Sequence, residues 1–266
     1  MRKHILLSIL MLSMTTGSAH AGAWLQEKGS GEFIAQASYF TSDAYFNGKG
    51  DSVGQPRYNQ YAIQPYLEYG LLENLTVGGS AALQRDTQSG AINSGVADPQ
   101  IFARSVLWRD ATQLVSLQPL VKFASDFEHM SAPRGGSKST DAELSVLYGR
   151  NLNLLSPRDY FDSSVGYRYR SGSLDNQIHA DAALGLEVAP RWQVIPAIRT
   201  VLSTHLQPST SFSEDGDQDY DLLKLELGAM YHVTDSRAWG LTLFDHVTGR
   251  QTGNGEGAML QLAQKF

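Results

Sequence analysis

From Gly31 to its last residue the chain is written in segments of roughly ten residues in which apolar and polar side chains alternate, each ended by a polar break. A period of two puts successive side chains on opposite faces of a β-strand. The segments run approximately 31–41, 57–70, 75–85, 98–109, 113–125, 139–150, 159–171, 177–188, 191–204, 220–233, 239–248 and 256–266. Twelve amphipathic strands fit an all-β antiparallel barrel closed on itself, with its apolar face in lipid and its polar face inward.

The ends of the chain agree. Arg2 and Lys3 precede an apolar stretch from Ile5 to Met14, and Ala19-His20-Ala21 supplies a small-x-small cleavage pattern. Residues 1–21 are therefore expected to be a cleavable signal peptide and 22–266 the barrel domain. The apolar stretch is too short for a spanning helix, which needs roughly 20 residues. No cysteine follows it to carry a lipid. At the other end, Phe266, Leu262, Leu260 and Ala258 share one strand face and Lys265, Ala263, Gln261 and Met259 the other. A terminal aromatic on an alternating strand is what outer-membrane barrels present to the barrel assembly machinery, the first expected partner.

The breaks alternate in length. Ser42–Pro56, Asp86–Ala97, Asp126–Lys138 and His205–Asp219 are long and polar, whereas Leu71–Asn74, Asp110–Thr112, Ala189–Pro190 and Thr234–Ala238 are short. That is the asymmetry between extracellular loops and periplasmic turns. Two breaks depart from it, a short one at Gly172–Asn176 and a longer turn at Asn151–Arg158. Aromatics sort the same way. Tyr69, Trp108, Tyr148, Tyr231, Phe266, Trp192 and Trp239 fall at the periplasmic rim, and Tyr39, Tyr61, Phe123 and Tyr169 at the outer one, as amphipathic rings do at membrane interfaces.

Parity then assigns faces. Val115, Leu117, Pro119, Val121 and Phe123 point to lipid with Ser116, Gln118 and Lys122 inside; Leu223, Leu225, Leu227, Ala229 and Tyr231 point out with Lys224, Glu226 and His232 inside. The interior receives Glu32, Glu68, Arg104, Lys122, Asp141, Glu143, Asp162, Arg168, Arg170, Asp181, Glu187, Arg199, Lys224, Glu226 and Lys265, seven bases against eight acids. Two readings follow: the charges pair across strands and fill much of a modest barrel, or Arg104, Arg168, Arg170 and Arg199 line a narrow water-filled constriction. The expected pore-lining set is Glu68, Arg104, Lys122, Glu143, Arg168, Arg170, Asp181, Arg199, Lys224 and Glu226. Gly22–Ser30 is too short for a plug domain.

Pro65, Pro119 and Pro196 fall inside lipid-facing parity, where a residue without an N–H interrupts the ladder. They mark either local irregularities or a break through which an apolar solute leaves sideways. The acidic run Glu214–Asp221 is a solvated loop or a divalent-ion bridge to lipopolysaccharide. His129 and His205 fall in outer loops, and His179, His232 and His246 face inward. Pairing His246 with Thr242 is the best nucleophile and base on offer, and no local motif supports it. No catalytic residue, metal ligand or cofactor is expected. The formal charge of −6, which becomes −8 once Arg2 and Lys3 are removed, argues against nucleic acid.

Gly22-Ala23-Trp24-Leu25-Gln26-Glu27-Lys28-Gly29-Ser30-Gly31, Tyr69-Gly70-Leu71-Leu72-Glu73-Asn74-Leu75-Thr76-Val77-Gly78 and Ala97-Asp98-Pro99-Gln100 leading to Leu107-Trp108-Arg109-Asp110 resemble the outer-membrane barrel family named for the meta-pathway of phenol degradation. Ala97-Asp98-Pro99 stands where that family typically shows Gly-Asp. The resemblance implies a transport-related barrel with aromatic compounds as suggested substrates, and no catalytic motif. The expectation is a channel in the outer membrane of a Gram-negative bacterium for passive uptake of small solutes, possibly aromatic or other small organic compounds, with outer-membrane lipid, lipopolysaccharide and the solute as partners and loops 42–56, 126–138 and 205–219 controlling access. The alternatives are a structural or partner-binding barrel with a filled lumen and, less favoured, a lipid-modifying enzyme.

Overall fold

The computed structural model of the protein describes residues 22–127, 139–172, 174–204 and 219–266. The signal segment, His129, His205, residues 214–218 of the acidic run and most of the loops 126–138 and 205–219 lie outside the described residues. The strands are β1 (Gly31–Phe46), β2 (Ser52–Leu72), β3 (Leu75–Gln88), β4 (Ala91–Arg109), β5 (Gln113–Lys122), β6 (Asp126–Phe127), β7 (Asp141–Asn151), β8 (Tyr160–Arg170), β9 (Gln177–Ala189), β10 (Trp192–Ser203), β11 (Asp221–Thr234), β12 (Arg237–Arg250) and β13 (Thr252–Lys265). Twelve of these are long, and each pairs antiparallel with its neighbours around the ring. β6 is a two-residue addition against Gly95 and Val96 of β4.

The ring closes between β1 and β13, from Glu32 opposite Lys265 to Phe46 opposite Thr252. At the seam the Gly31 and Phe266 backbones exchange both hydrogen bonds, at 2.8 and 3.0 Å. Closure removes the unpaired edges that an open sheet would expose. The parity assignments hold: Val121, Phe123, Leu225, Leu227, Leu241, Leu243 and Leu260 are exposed on the outer face, whereas Ser116, Lys122, Glu68 and Arg104 are buried. In lipid, those exposed apolar side chains form the belt and the backbone groups are satisfied strand to strand. Trp108, Trp192, Trp239, Tyr69 and Phe266 are exposed near the short-turn end, and Tyr61, Tyr169 and Phe123 toward the other. Trp192 packs on Tyr231 with ring centroids 5.0 Å apart.

Two expected outer loops are strand instead. Of Ser42–Pro56, only 47–51 turns, because β1 and β2 stay paired as far as Phe46 and Ser52. Of Asp86–Ala97, only Ser89-Gly90 turns, between Gln88 and Ala91. Both turn residues have positive φ, 52° and 81°, as a tight hairpin turn matched to strand twist needs. Polar residues read as loop continue a ladder here because, outside lipid, hydrogen-bonded pairing no longer requires an apolar face. Asp43 is the extra residue of a bulge in β1, where the register slips between Ser42 and Ala44.

At the three prolines pairing lapses on one side and resumes in the same register. The lapse spans Gln64 and Pro65 against β3, Gln118 and Pro119 against β4, and Ile195 and Pro196 against β9. On the other side Pro65, Pro119 and Pro196 stay in register with Ala35, Leu144 and Leu227. None is a bulge. A fourth proline, Pro99, does sit at one: β3 and β4 slip register between Ser80 and Ala82, beside Asp98 at φ 45°.

Candidate functional site

The interior divides into a floor at the short-turn end and a chamber above it. Residues 22–30, expected to be too short for a plug domain, build much of the floor. From β1 the chain turns back inside the barrel, with the Gly29 N–H donating to the Gly70 carbonyl of β2 and the Gly70 N–H to Ser30, both at 2.9 Å. Gly70 is required there, since a Cβ would stand 2.0 Å from the Glu27 carbonyl oxygen. The segment then crosses successive strands. The Gln26 N–H donates to Thr76 Oγ1 on β3 at 2.9 Å, and its side-chain amide to Glu68 on β2 at 2.5 Å. The Trp24 carbonyl accepts from Arg104 Nη1 on β4 at 2.7 Å, and the Ala23 carbonyl from Ser116 Oγ on β5 at 2.7 Å. The Trp24 indole lies against Gly149 of β7, and Gly22 against Asp162 of β8. Nine residues thus strap the inner wall from β2 to β8.

Apolar side chains complete the floor. Ala23 packs with the buried Leu114 and Leu147, flanked by Trp24, Leu25 and Val106. Across the barrel Ile34, Ala183, Ile195, Met230, Ala238 and Ala263 form a second buried cluster, with Tyr66 against it. Met230 is 1% exposed, so the lumen here is packed like a protein interior. The Tyr66 hydroxyl donates to Glu68 Oε2 at 2.6 Å, and the same oxygen takes Arg104 Nη1 at 3.2 Å. Arg104 Nε also donates to Gln118 at 3.0 Å. Glu68 and Arg104, expected to line a pore, are therefore joined to the strap and closed off from solvent, with side chains 3% and 1% exposed.

The chamber holds the other expected residues in three groups. Glu143 of β7 meets Arg168 of β8 at 2.7 Å and His179 of β9 at 3.3 Å. Arg199 of β10 lies between Asp181 of β9 at 3.7 Å and Glu226 of β11 at 3.3 Å, and Glu226 also takes Lys224 at 2.7 Å. Nearer the outer end, Lys122 of β5 pairs with Asp141 at 3.0 Å and reaches Asp98 at the bulge at 3.6 Å. Arg170 pairs with Asp219 at 2.9 Å. The side chains of Arg199 and Asp181 are 33% and 34% exposed, so water reaches this band. Lys224 also stands 5.1 Å from the Phe244 ring centroid.

Two expectations resolve differently. His246 Nδ1 lies 2.9 Å from the Gly253 carbonyl, to which it donates, and its ring packs tilted against that of Phe40 with centroids 4.7 Å apart; its hydrogen-bond partner among the described residues is that carbonyl and not the Thr242 hydroxyl. Of the acidic run, Asp219 is engaged by Arg170 and by the Asp175 N–H, and Asp221 by Arg250. The longer turn between β7 and β8 is built on Asp159, whose carboxylate accepts the N–H groups of Leu155, Ser156 and Glu187. Burial pushes this carboxyl up, and those N–H groups more than offset it, holding it below the usual carboxylate range.

The strap was missed because its nine residues have no periodicity. Its signal lies in the wall: Leu114, Leu147, Ile195 and Met230 occupy inward parity where a water-filled lumen would have polar residues.

No family model and no curated protein matches the sequence. Solved structures do match the fold. An outer-membrane channel from Pseudomonas putida F1 superposes with a TM-score of 0.75 at 15% identity, covering 94% of this chain and all of that one. The NanC porin gives 0.54 at 9% identity over 87% and 98% of the two chains, and the KdgM porin, solved with disordered oligogalacturonate, 0.51 at 6% over 88% and 99%. The translocator domain of the autotransporter NalP from Neisseria meningitidis gives 0.53 at 12% over 91% of each chain. The shared architecture is the closed barrel of Gram-negative outer membranes, and these channels, porins and translocator domain use that one architecture for more than one task.

Proposed function

We propose that the protein is an outer-membrane channel for passive uptake of small solutes, aromatic or other small organic compounds, and a member of the barrel family named for the meta-pathway of phenol degradation. The observation carrying this reading is a band of opposed charges above a closed floor, with Arg199, Asp181 and Lys224 partly open to water and Arg168 and Glu226 more enclosed beside them. Such a band holds a polar or amphipathic solute in the chamber by multiple weak contacts, and a gate below controls passage. Structural likeness to channels and porins supports the reading. The leader is removed after Ala21, the strand ending at Phe266 engages the assembly machinery, and the outer rim lies among lipopolysaccharide. The lapses beside Pro65, Pro119 and Pro196 add a lateral route for apolar solutes. Replacing all three with Val tests it, and unchanged uptake of apolar compounds removes it.

The packed floor favours a second reading, a barrel that does not conduct and whose outer surface binds a partner. Single-channel recording of the refolded mature protein separates the two. Discrete steps whose ion selectivity shifts in Arg168→Ala and Arg170→Ala support a channel. Silence from a folded barrel supports the filled one. A lipid-modifying activity is tested by hydrolysis assays on phospholipid vesicles.

A further inference from the structure

The inner end of the strap is chemically incomplete. Asp162 on β8 is buried, at 8% exposure, in the wall opposite the strap's origin. The Ala23 N–H and the Trp24 indole N–H are directed at its carboxylate, yet Oδ1 has no hydrogen bond among the described residues. A buried carboxylate short of partners is costly unless a positive charge or further donors reach it. Arg104, on the strap's other flank, spends its Nη1 on Trp24 and Glu68 and its Nε on Gln118; its charge and that of Arg199 act on Asp162, but neither guanidinium forms a hydrogen bond to Oδ1. The Gly22 backbone also lies against Asp162: a Cβ built there would stand 2.4 Å from Oδ2 and 2.9 Å from Oδ1, so a larger residue would have to push the carboxylate aside. Gly22 is the residue that follows Ala19-His20-Ala21.

We infer that maturation completes this site: removal of the leader frees the α-amino group of Gly22, which forms a buried ion pair with Asp162 and locks the strap across the floor. The leader peptidase adds one water across the Ala21–Gly22 amide. The C–N bond breaks, the hydroxyl goes to the Ala21 carbonyl carbon and a proton to the Gly22 nitrogen. The new Ala21 carboxyl then releases a proton and the Gly22 amine, largely protonated near neutral pH, takes one up. An amide N–H offers a single neutral donor where an ammonium offers three charge-assisted ones. The ion pair therefore forms only in the processed protein.

The test labels the α-amine. The full chain is exported with its leader, purified from outer membranes and treated at neutral pH with an amine-acylating reagent, with each site read by peptide mass spectrometry and folding by heat-modifiable gel mobility. The expected mature terminus is Gly22, acylated at least about tenfold more slowly in the folded barrel than in urea, because the strap must open first. Asp162→Asn is expected to restore fast labelling in the folded state. Inserting one Ala between Ala21 and Gly22, which leaves the wall untouched, is expected to do the same should Asp162→Asn fail to fold. A terminus other than Gly22, fast labelling of the folded wild type, or retained protection in a folded Asp162→Asn overturns the inference. The readout is independent of current, so a silent barrel bears on the channel reading and not on this one.

Discussion

Arg104 with Glu68 and Arg199 with Asp181 are the same kind of pair, an arginine and a carboxylate on inward-facing positions, and they have opposite surroundings. The first lies under the strap with both side chains almost wholly enclosed. The second stands in the chamber with about a third of each side chain in contact with water. Parity treats them alike. What separates them is whether a segment folds back over them, and that decides which charges hold the barrel together and which are able to act on a solute. A pair enclosed by protein is strongly coupled and expensive to break, whereas a wet pair is screened and cheap to break, and remains free to exchange partners with a passing ion.

The largest break in that contrast comes from deleting residues 22–28. With the strap gone the floor loses the cover over Leu114 and Leu147, and conductance is expected to rise several-fold in planar bilayers while the barrel melts at lower temperature on heat-modifiable gels. An unchanged conductance would show that the Met230 and Ile195 cluster alone seals the floor. Next in size, Glu68→Ala leaves Arg104 enclosed without its carboxylate and is expected to cost about 3–5 kcal/mol in urea unfolding from detergent or lipid. Asp181→Ala is expected to cost about 0–1 kcal/mol. Equal costs would erase the distinction between floor and chamber. Selectivity sharpens it from the other side. Arg168→Ala and Arg199→Ala are expected to move the reversal potential in a salt gradient toward cation preference, and Arg104→Gln to leave it in place.

The smallest effect lies outside both regions, in the turn at Asp159. Its carboxyl is held below the ordinary carboxylate range, so its contribution is fully present above the unfolded carboxylate pKa and is lost as pH falls through the depressed folded value. Acidification to about pH 4, near the unfolded value, should leave the turn largely closed, with opening only at still lower pH. Asp159→Ala is expected to speed hydrogen exchange at Leu155 and Ser156 by about tenfold at neutral pH, the scale of one hydrogen bond to a charged acceptor.

The barrel was legible because lipid on one side and a polar interior on the other impose a period of two on every strand, and Leu223 to Tyr231 against Lys224 and Glu226 show that period without interruption. Even the aromatic rims followed, since Trp192, Trp239 and Phe266 stay exposed where the membrane interface favours them. Beyond the lipid the constraint ends. Asp86, Thr87 and Gln88 carry no apolar face, yet they pair with Asn93, Ile92 and Ala91 up to the Ser89-Gly90 turn because backbone hydrogen bonds suffice there.

The sequence by itself determined the number of strands, their inner and outer faces and which end holds the short turns, since each is set by local alternation and by the solvent that each face meets. Only the tertiary structure decided that Gly22–Ser30 lies inside, that Arg104 and Glu68 are enclosed while Arg199 and Asp181 are wet, and that the floor is packed. Those outcomes depend on contacts between the strap and strands distant in the chain, such as Ser116 with Ala23 and Asp162 with Gly22. A nine-residue segment with no period of its own carries no local record of the wall it will cover.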